Sequence, residues 1–283
     1  MKFVTFETEG RASWGLVSGE AVCDLGQIQG GAFPTLKDAI AAGALDQLGR
    51  AAESAPILDA KAVRWLPVVP NPGKIFCVGH NYETHRQETG RAKVGYPSIF
   101  TRFADTLTAH DGPIVRPQVS TSLDYEGELA VVIGKGGRHI AEADAMGHIA
   151  GFACANDASV RDWQWHTQQF TPGKNFPATG ALGPWLVTPD EIADLDAVTV
   201  TTRLNGQVMQ HAPLADLIFP LPVIIAYLST FTPLSPGDVI LTGTPGGVGA
   251  KREPPVWMKA GDRVEVEITG VGLLSNIVAD EAL

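Results

Sequence analysis

The chain has 283 residues, 45% of them apolar and 18% charged, and its 31 acidic against 21 basic side chains set the formal charge at −10. That composition describes a folded globule long enough for a sizeable core and one or two domains. Its acid excess, with no basic run and no interleaved aromatic and Arg platform, repels a polyphosphate backbone and argues against nucleic acid as a partner.

Residues 1 to 70 read as a small α+β domain. Short strand-like runs at Lys2 to Phe6, Gly15 to Val17 and Ala21 to Asp24 precede an alanine-rich helical stretch from Thr35 to Ala55, where Thr35 and Asp38 stand at capping-box spacing. The passage Leu66-Pro67-Val68-Val69-Pro70-Asn71-Pro72-Gly73 is a stiff linker that places the domain boundary. Residues 71 to 283 are mostly β, with strands expected at Lys74 to Gly79, Pro97 to Phe103, Leu129 to Ile133, Val198 to Leu204, Val239 to Thr242 and Arg263 to Ile268. Helices are expected at Glu142 to His148, after Asp157, and at Leu221 to Thr230, so the fold class is a β-rich α+β rather than a repeating βαβ.

Cys23, Cys77 and Cys154 are odd in number and form no C-x-x-C pair, so they frame neither a disulfide scaffold nor a thiolate zinc site. The N-terminus reaches acidic and glycine residues too early for a signal peptide, which predicts a reduced, cytoplasmic chain. The most apolar later run, Phe219 to Phe231, is interrupted by Pro220 and Pro222 and is shorter than the roughly 20 residues a bilayer requires, so no membrane span is expected.

The most informative stretch runs from Leu123 to Gly134. In an extended strand Glu126, Glu128, Ala130 and Val132 share one face, and Tyr125, Leu129, Val131 and Ile133 the other. Both faces are apolar beyond Glu128, so the two glutamates stand at the mouth of a buried strand. They are either the wet end of that strand or, with a cation to offset their repulsion, ligands for Mg²⁺, Mn²⁺ or Ca²⁺. Asp157, closing the apolar run Phe152 to Asn156, is the candidate third oxygen ligand and equally a candidate helix N-cap; Asp124 and Asp162 are spare acids nearby.

His85 and Glu88 stand three apart in a segment expected to turn helical after Tyr82. They form either a general-base pair, in which the carboxylate fixes the imidazole tautomer, or an ordinary exposed pair. The stretch Thr242 to Gly249 lacks the Gly-Lys-Ser/Thr of a Walker loop and reads as a tight loop that presents backbone amides to a ligand. There is no H-E-x-x-H, no G-x-S-x-G and no Cys with a motif-grade His partner, so a nucleophile mechanism is unsupported.

Taken in order, Cys77–Glu88, Asp124–Gly134, Asn156–Asp162, Thr171–Phe176, Gly183-Pro184-Trp185 and Leu241–Gly249 resemble the fumarylacetoacetate hydrolase superfamily over about residues 70 to 280. The resemblance implies a mixed β-roll or barrel catalytic domain and a commonly homodimeric enzyme. It further implies Mg²⁺ or Mn²⁺ on Glu126, Glu128 and Asp157, a His85–Glu88 dyad on a mobile lid, and Lys174 at the substrate. Tyr82, Arg161, Gln210 and Thr244 resemble further substrate contacts. Two positions depart from the family pattern: His80 before Asn81-Tyr82, and Phe100-Thr101-Arg102-Phe103 where Phe-Leu-Lys-Pro is frequent. The segment Trp163 to Phe170 either shapes the pocket or packs between helix and loop.

The chemistry so implied is that of a small 2-oxo acid, and hydrolysis of an acylpyruvate of the fumarylpyruvate type at its C3–C4 bond is the expected reaction. Oxaloacetate decarboxylation or isomerisation of a hydroxymuconate-type dienoate on the same site is the alternative. A non-catalytic module with a structural Ca²⁺ on the three carboxylates is the remaining one.

Overall fold

Alternation along the Gly127–Ile133 strand sends its side chains into two separate cores. Leu129, Val131 and Ile133 join Tyr125 in a cluster shared with a second sheet, whereas Ala130 and Val132 face a cluster built partly from the N-terminal segment. Every residue of the strand is buried, as the apolar run beyond Glu128 predicts. The computed structural model describes residues 1–282.

In the 12-stranded main sheet ten strands run in order from Ile57–Asp59 through Ala21–Asp24, Arg11–Ser18 and Lys2–Thr8 to Gly180–Val187, then Ile149–Asn156, Gly127–Ile133, Val239–Leu241, Ile75–Gly79 and Ser98–Arg102, while Arg64–Trp65 pairs with Lys2–Thr8 and Leu107–Thr108 with Gly180–Val187 off that path. A 5-stranded sheet packs on one face, in the order Gln207–Pro213, Thr199–Leu204, Arg263–Ile268, Gly272–Asp280 and Ile114–Arg116. Both orders are paths with two ends, so no closed barrel forms among the described residues and the β-rich α+β class stands. The sheets meet closely at Gly127, where a Cβ would lie 2.1 Å from Thr202 Oγ1 and 3.2 Å from Val266 Cγ1, which is why a glycine separates the two glutamates.

The N-terminal segment continues the main sheet, Lys2 pairing with Val187 and Phe3 with Leu186. Phe3, Trp14 and Leu36 also share one apolar cluster with Ile75, Ala130 and Leu241. The Thr35–Asp38 capping box is present in both halves, but the helix it opens stops at Ala41 and resumes at Leu45–Ala51. Glu142–His148 forms a 3₁₀ run and the segment after Asp157 only the short helix Arg161–Gln164. Leu221–Phe231 is the longest helix, with Pro222 in its first turn, where a missing N–H breaks no intrahelical bond.

Candidate active site

Strand register brings the three candidate ligands together. Gly127 pairs with Asn156 and Glu128 with Ala155, so Asp157, one step past the strand end, donates its amide to the Glu126 carbonyl at 2.8 Å. One carboxylate oxygen from each of Glu126, Glu128 and Asp157 lies within 4.8 Å of the others, and all three residues are buried. Asp157 is not a helix cap, since the following helix is entered through Val160.

Three buried cations surround these acids. Arg102 Nη1 meets Asp157 Oδ1 at 2.7 Å, and Lys174 Nζ bridges Asp157 Oδ2 at 2.6 Å and Glu126 Oε2 at 2.7 Å. Arg161 holds Glu126 Oε1 through Nη1 at 2.7 Å and Asp124 Oδ2 through Nε at 2.8 Å. Asp124 also accepts the amides of Gly249 at 2.8 Å and Ala250 at 3.0 Å, which fixes the glycine-rich loop against the charge cluster. Burial works against ionisation of Glu126, but Lys174 and then Arg161 outweigh it and hold that carboxyl well below the usual carboxylate range. Burial likewise works against the Lys174 ammonium, and Asp157 and Glu126 more than restore its charge.

Glu128 is the exception. Four buried carboxylates, with Asp124 included, face three cations, and Glu128 makes no ion pair among the described residues. Its Oε2 accepts only the Gly243 amide, at 2.7 Å. Burial, then the charges of Asp157 and Glu126, push its proton affinity well up. A surplus buried carboxylate within reach of two others fits a hard divalent cation with oxygen ligands, such as Mg²⁺ or Mn²⁺. Arg161 Nη2 is buried with no hydrogen-bond partner, a donor left free for an anionic ligand beside that set.

The helix Glu83–Glu88, the expected lid, forms the opposite wall. His85 Nδ1 lies 2.7 Å from Glu88 Oε1, and Glu88 Oε2 accepts the Gly247 amide at 2.9 Å. A carboxylate accepting at both oxygens makes Nδ1 the donor, so the neutral imidazole is held in the tautomer whose lone pair is on Nε2. Gly247 has φ +104° and a Cβ there would sit 2.2 Å from the Met209 carbonyl, so only glycine offers this amide to the lid. The dyad pairs as its spacing predicts.

His85, Glu126, Glu128, Arg161, Lys174 and Thr244 line one cavity of about 100 Å³. Asp157, Glu88, Tyr82 and Gln210 do not: Asp157 lies behind Lys174 and Arg102, and Glu88 behind His85. Tyr82 is fully buried and bridges to Leu217. Gln210 ties the Gly127 amide to Thr244 Oγ1 and the Pro245 carbonyl, so it joins the E-x-E strand to the glycine-rich loop. In the Trp163 to Phe170 segment both readings apply: Trp163 packs edge-on against Phe176 at 5.2 Å, while Trp165 and Phe170 line the cavity. Arg102, in the sequence only a departure from a family run, is the cation on the second oxygen of Asp157; an arginine ending a half-apolar strand is the available signal. Spare Asp124 belongs to the cluster, whereas Asp162 bonds Ser120 at 2.6 Å outside it.

The profile of the Fumarylacetoacetate (FAA) hydrolase C-terminal family matches residues 74–279. The chain is similar to the human protein named oxaloacetate tautomerase FAHD2A, mitochondrial, at 44% identity over 225 residues, covering 79% of this chain and 72% of that protein. Among solved structures it is similar to a fumarylacetoacetate hydrolase from psychrophilic Exiguobacterium antarcticum, at 34% identity and TM-score 0.86, covering 99% and 100% of the two chains. It is also similar to maleylpyruvate hydrolase from Sphingobium sp. SYK-6 in complex with manganese(II) and pyruvate, at 26% identity and TM-score 0.84 over the whole of both chains. The human protein's name carries the word mitochondrial, and no helix among the described residues of this chain is long and apolar enough to cross a membrane.

Proposed function

The chain belongs to the fumarylacetoacetate hydrolase family, and from that premise we propose that it is a 2-oxo-acid tautomerase, interconverting the enol and keto forms of oxaloacetate or a closely similar diacid. Acylpyruvate hydrolysis, the first expectation from the sequence, becomes the second reading. The observation that carries the change is the 44% identity to a protein named oxaloacetate tautomerase, above the 26% to a named maleylpyruvate hydrolase.

Tautomerisation moves one proton from carbon to oxygen and consumes no water. In the keto-to-enol direction the C3–H bond breaks, its electron pair enters the C2–C3 double bond, and the keto oxygen gains a proton. His85 Nε2 is the group on the lid that takes the C3 proton or returns it, and Glu88 keeps the ring in the tautomer this requires. Arg161, through its free Nη2, orients the C1 carboxylate. The Lys174 ammonium stands next to the charge that develops on the keto oxygen. Glu126, Glu128 and Asp157 would hold a divalent cation, which when bound supplies Lewis-acid charge beside the same oxygens. Closure of the lid over a cavity this small keeps bulk water from the carbanionic carbon.

The test is the decay of the enol absorbance of oxaloacetate with Mg²⁺ or Mn²⁺ present, alongside product analysis on acetylpyruvate and fumarylpyruvate. Faster enol decay with no pyruvate released is the expected result. Metal-dependent release of pyruvate from the acylpyruvates, with enol decay no faster than in buffer, restores the hydrolase reading.

A further inference from the structure

Cations line the cavity at two depths. The deep ones, Arg161 and Lys174, are engaged with the buried carboxylates. At the mouth stand Arg91 and Lys251, both exposed and neither in an ion pair among the described residues. Arg91 stands three residues past the end of the Glu83–Glu88 helix and donates its amide to the Arg86 carbonyl at 3.1 Å, so it is tethered to the element that carries His85. Its guanidinium lies 5.6 Å from the centre of the Phe170 ring. Phe170 packs on Phe100 at 5.5 Å and on His80 at 6.0 Å, and His80 stacks on His85 at 5.1 Å with the rings 12° apart. A continuous aromatic arch therefore joins Arg91 to the dyad.

His80 stands between the two depths, lining the same cavity as Arg91, Glu126 and Arg161. Its proton affinity is depressed to about 4, first by burial, then by the charges of His85 and Arg91, while Glu126 pulls the other way. Charge counting points the same way. With a divalent ion the buried set carries one net positive charge, matched by one carboxylate of a 2-oxo acid. A second carboxylate needs another cation, and Arg91 is the one fixed in place over an aromatic face.

We propose that Arg91 is a specificity-determining residue that binds the distal carboxylate of a 2-oxo dicarboxylate, with Phe170 holding its guanidinium over the cavity mouth. This deepens the tautomerase reading and rests on it for the metal-proximal end of the ligand. A 2-oxo monocarboxylate leaves Arg91 without a partner, so the residue separates four-carbon diacids from shorter or uncharged-tailed 2-oxo acids.

The experiment is calorimetric titration of the Mn²⁺-loaded protein with two unreactive probes. Oxalate occupies only the metal end, whereas difluorooxaloacetate carries a distal carboxylate and has no C3 hydrogen to lose. Arg91→Gln is expected to weaken difluorooxaloacetate about tenfold, the scale of one charge-assisted contact, and oxalate less than about twofold. Phe170→Leu is expected to shift the same ratio by a smaller factor, and Lys251→Gln to leave it unchanged. Equal loss for both probes in Arg91→Gln, no loss for either, or the selective loss appearing in Lys251→Gln instead, each overturns the proposal. Selective loss in Arg91→Gln together with no enol turnover by the unaltered protein keeps the subsite and removes the tautomerase reading. Failure of both probes to bind the unaltered protein removes both.

Discussion

The buried charge cluster and the lid face each other across one cavity, yet they are held by different means. In the cluster, Asp157 is gripped by Arg102 and Lys174, Glu126 by Lys174 and Arg161, and Asp124 by Arg161 and two loop amides. The six-residue lid helix is tied to the glycine-rich loop by two amides, Gly246 to Thr84 Oγ1 at 3.1 Å and Gly247 to Glu88 Oε2 at 2.9 Å. A few bonds of this kind open at low cost, whereas removing one ion from the cluster strands its partners in a low-dielectric interior. The cluster therefore fixes where charge resides, and the helix carrying His85 is the more lightly held wall of the cavity.

The sharpest test of that division is His85→Ala. Loss of the proposed general base is expected to reduce enol turnover by about 10²- to 10⁴-fold, while Mn²⁺ affinity measured by titration stays within about twofold. A parallel fall in metal affinity would show that lid and cluster are one cooperative unit.

Two substitutions within the cluster come next, and they are expected to differ in sign. Lys174→Met leaves Glu126 and Asp157 without their shared cation and is expected to cost about 3–5 kcal/mol in urea unfolding of the metal-free protein, part of it returned by Mn²⁺. Glu128→Gln removes the carboxylate that has no cation and can still accept the Gly243 amide. It is expected to stabilise the metal-free protein and to abolish the stabilisation that Mn²⁺ confers. A destabilised Glu128→Gln would mean that the surplus charge is already compensated without a metal.

The cluster was legible in the sequence because its parts are local patterns. E-G-E at a strand mouth and an Asp closing an apolar run are visible once the strand is known to be buried on both faces. The His85–Glu88 pair needed only one helical turn. What stayed hidden depends on register between distant segments. Arg102 reaches Asp157 across 55 residues and Gln210 reaches Gly127 across 83, and no local pattern names the partner of either. The Ile149–Asn156 and Gly180–Val187 strands stay hidden because half of the first is Ala or Gly, the second contains Gly180, Gly183 and Pro184, and strands buried on both faces show no alternation. The same burial on both faces lets residues 1 to 70 share a sheet and an apolar cluster with the later chain, across a proline-rich passage that reads as a boundary.

The smallest expected effect lies at the seam between lid and cluster. His80 has φ +55° and its ring, stacked on His85, is depressed in proton affinity from 6.5 to about 4, by burial first and then by His85 and Arg91. Between those two values the unfolded chain binds a proton that the folded chain refuses, so stability falls as the pH drops from about 6.5 to about 4. His80→Asn tolerates the left-handed backbone and removes the titrating group. Its melting temperature should therefore decline less steeply over that window than that of the unaltered protein, by a modest margin because the ring is partly open to solvent screening. An unchanged slope would assign the acid sensitivity to another group and leave the stacked imidazole with a purely steric part in seating the lid.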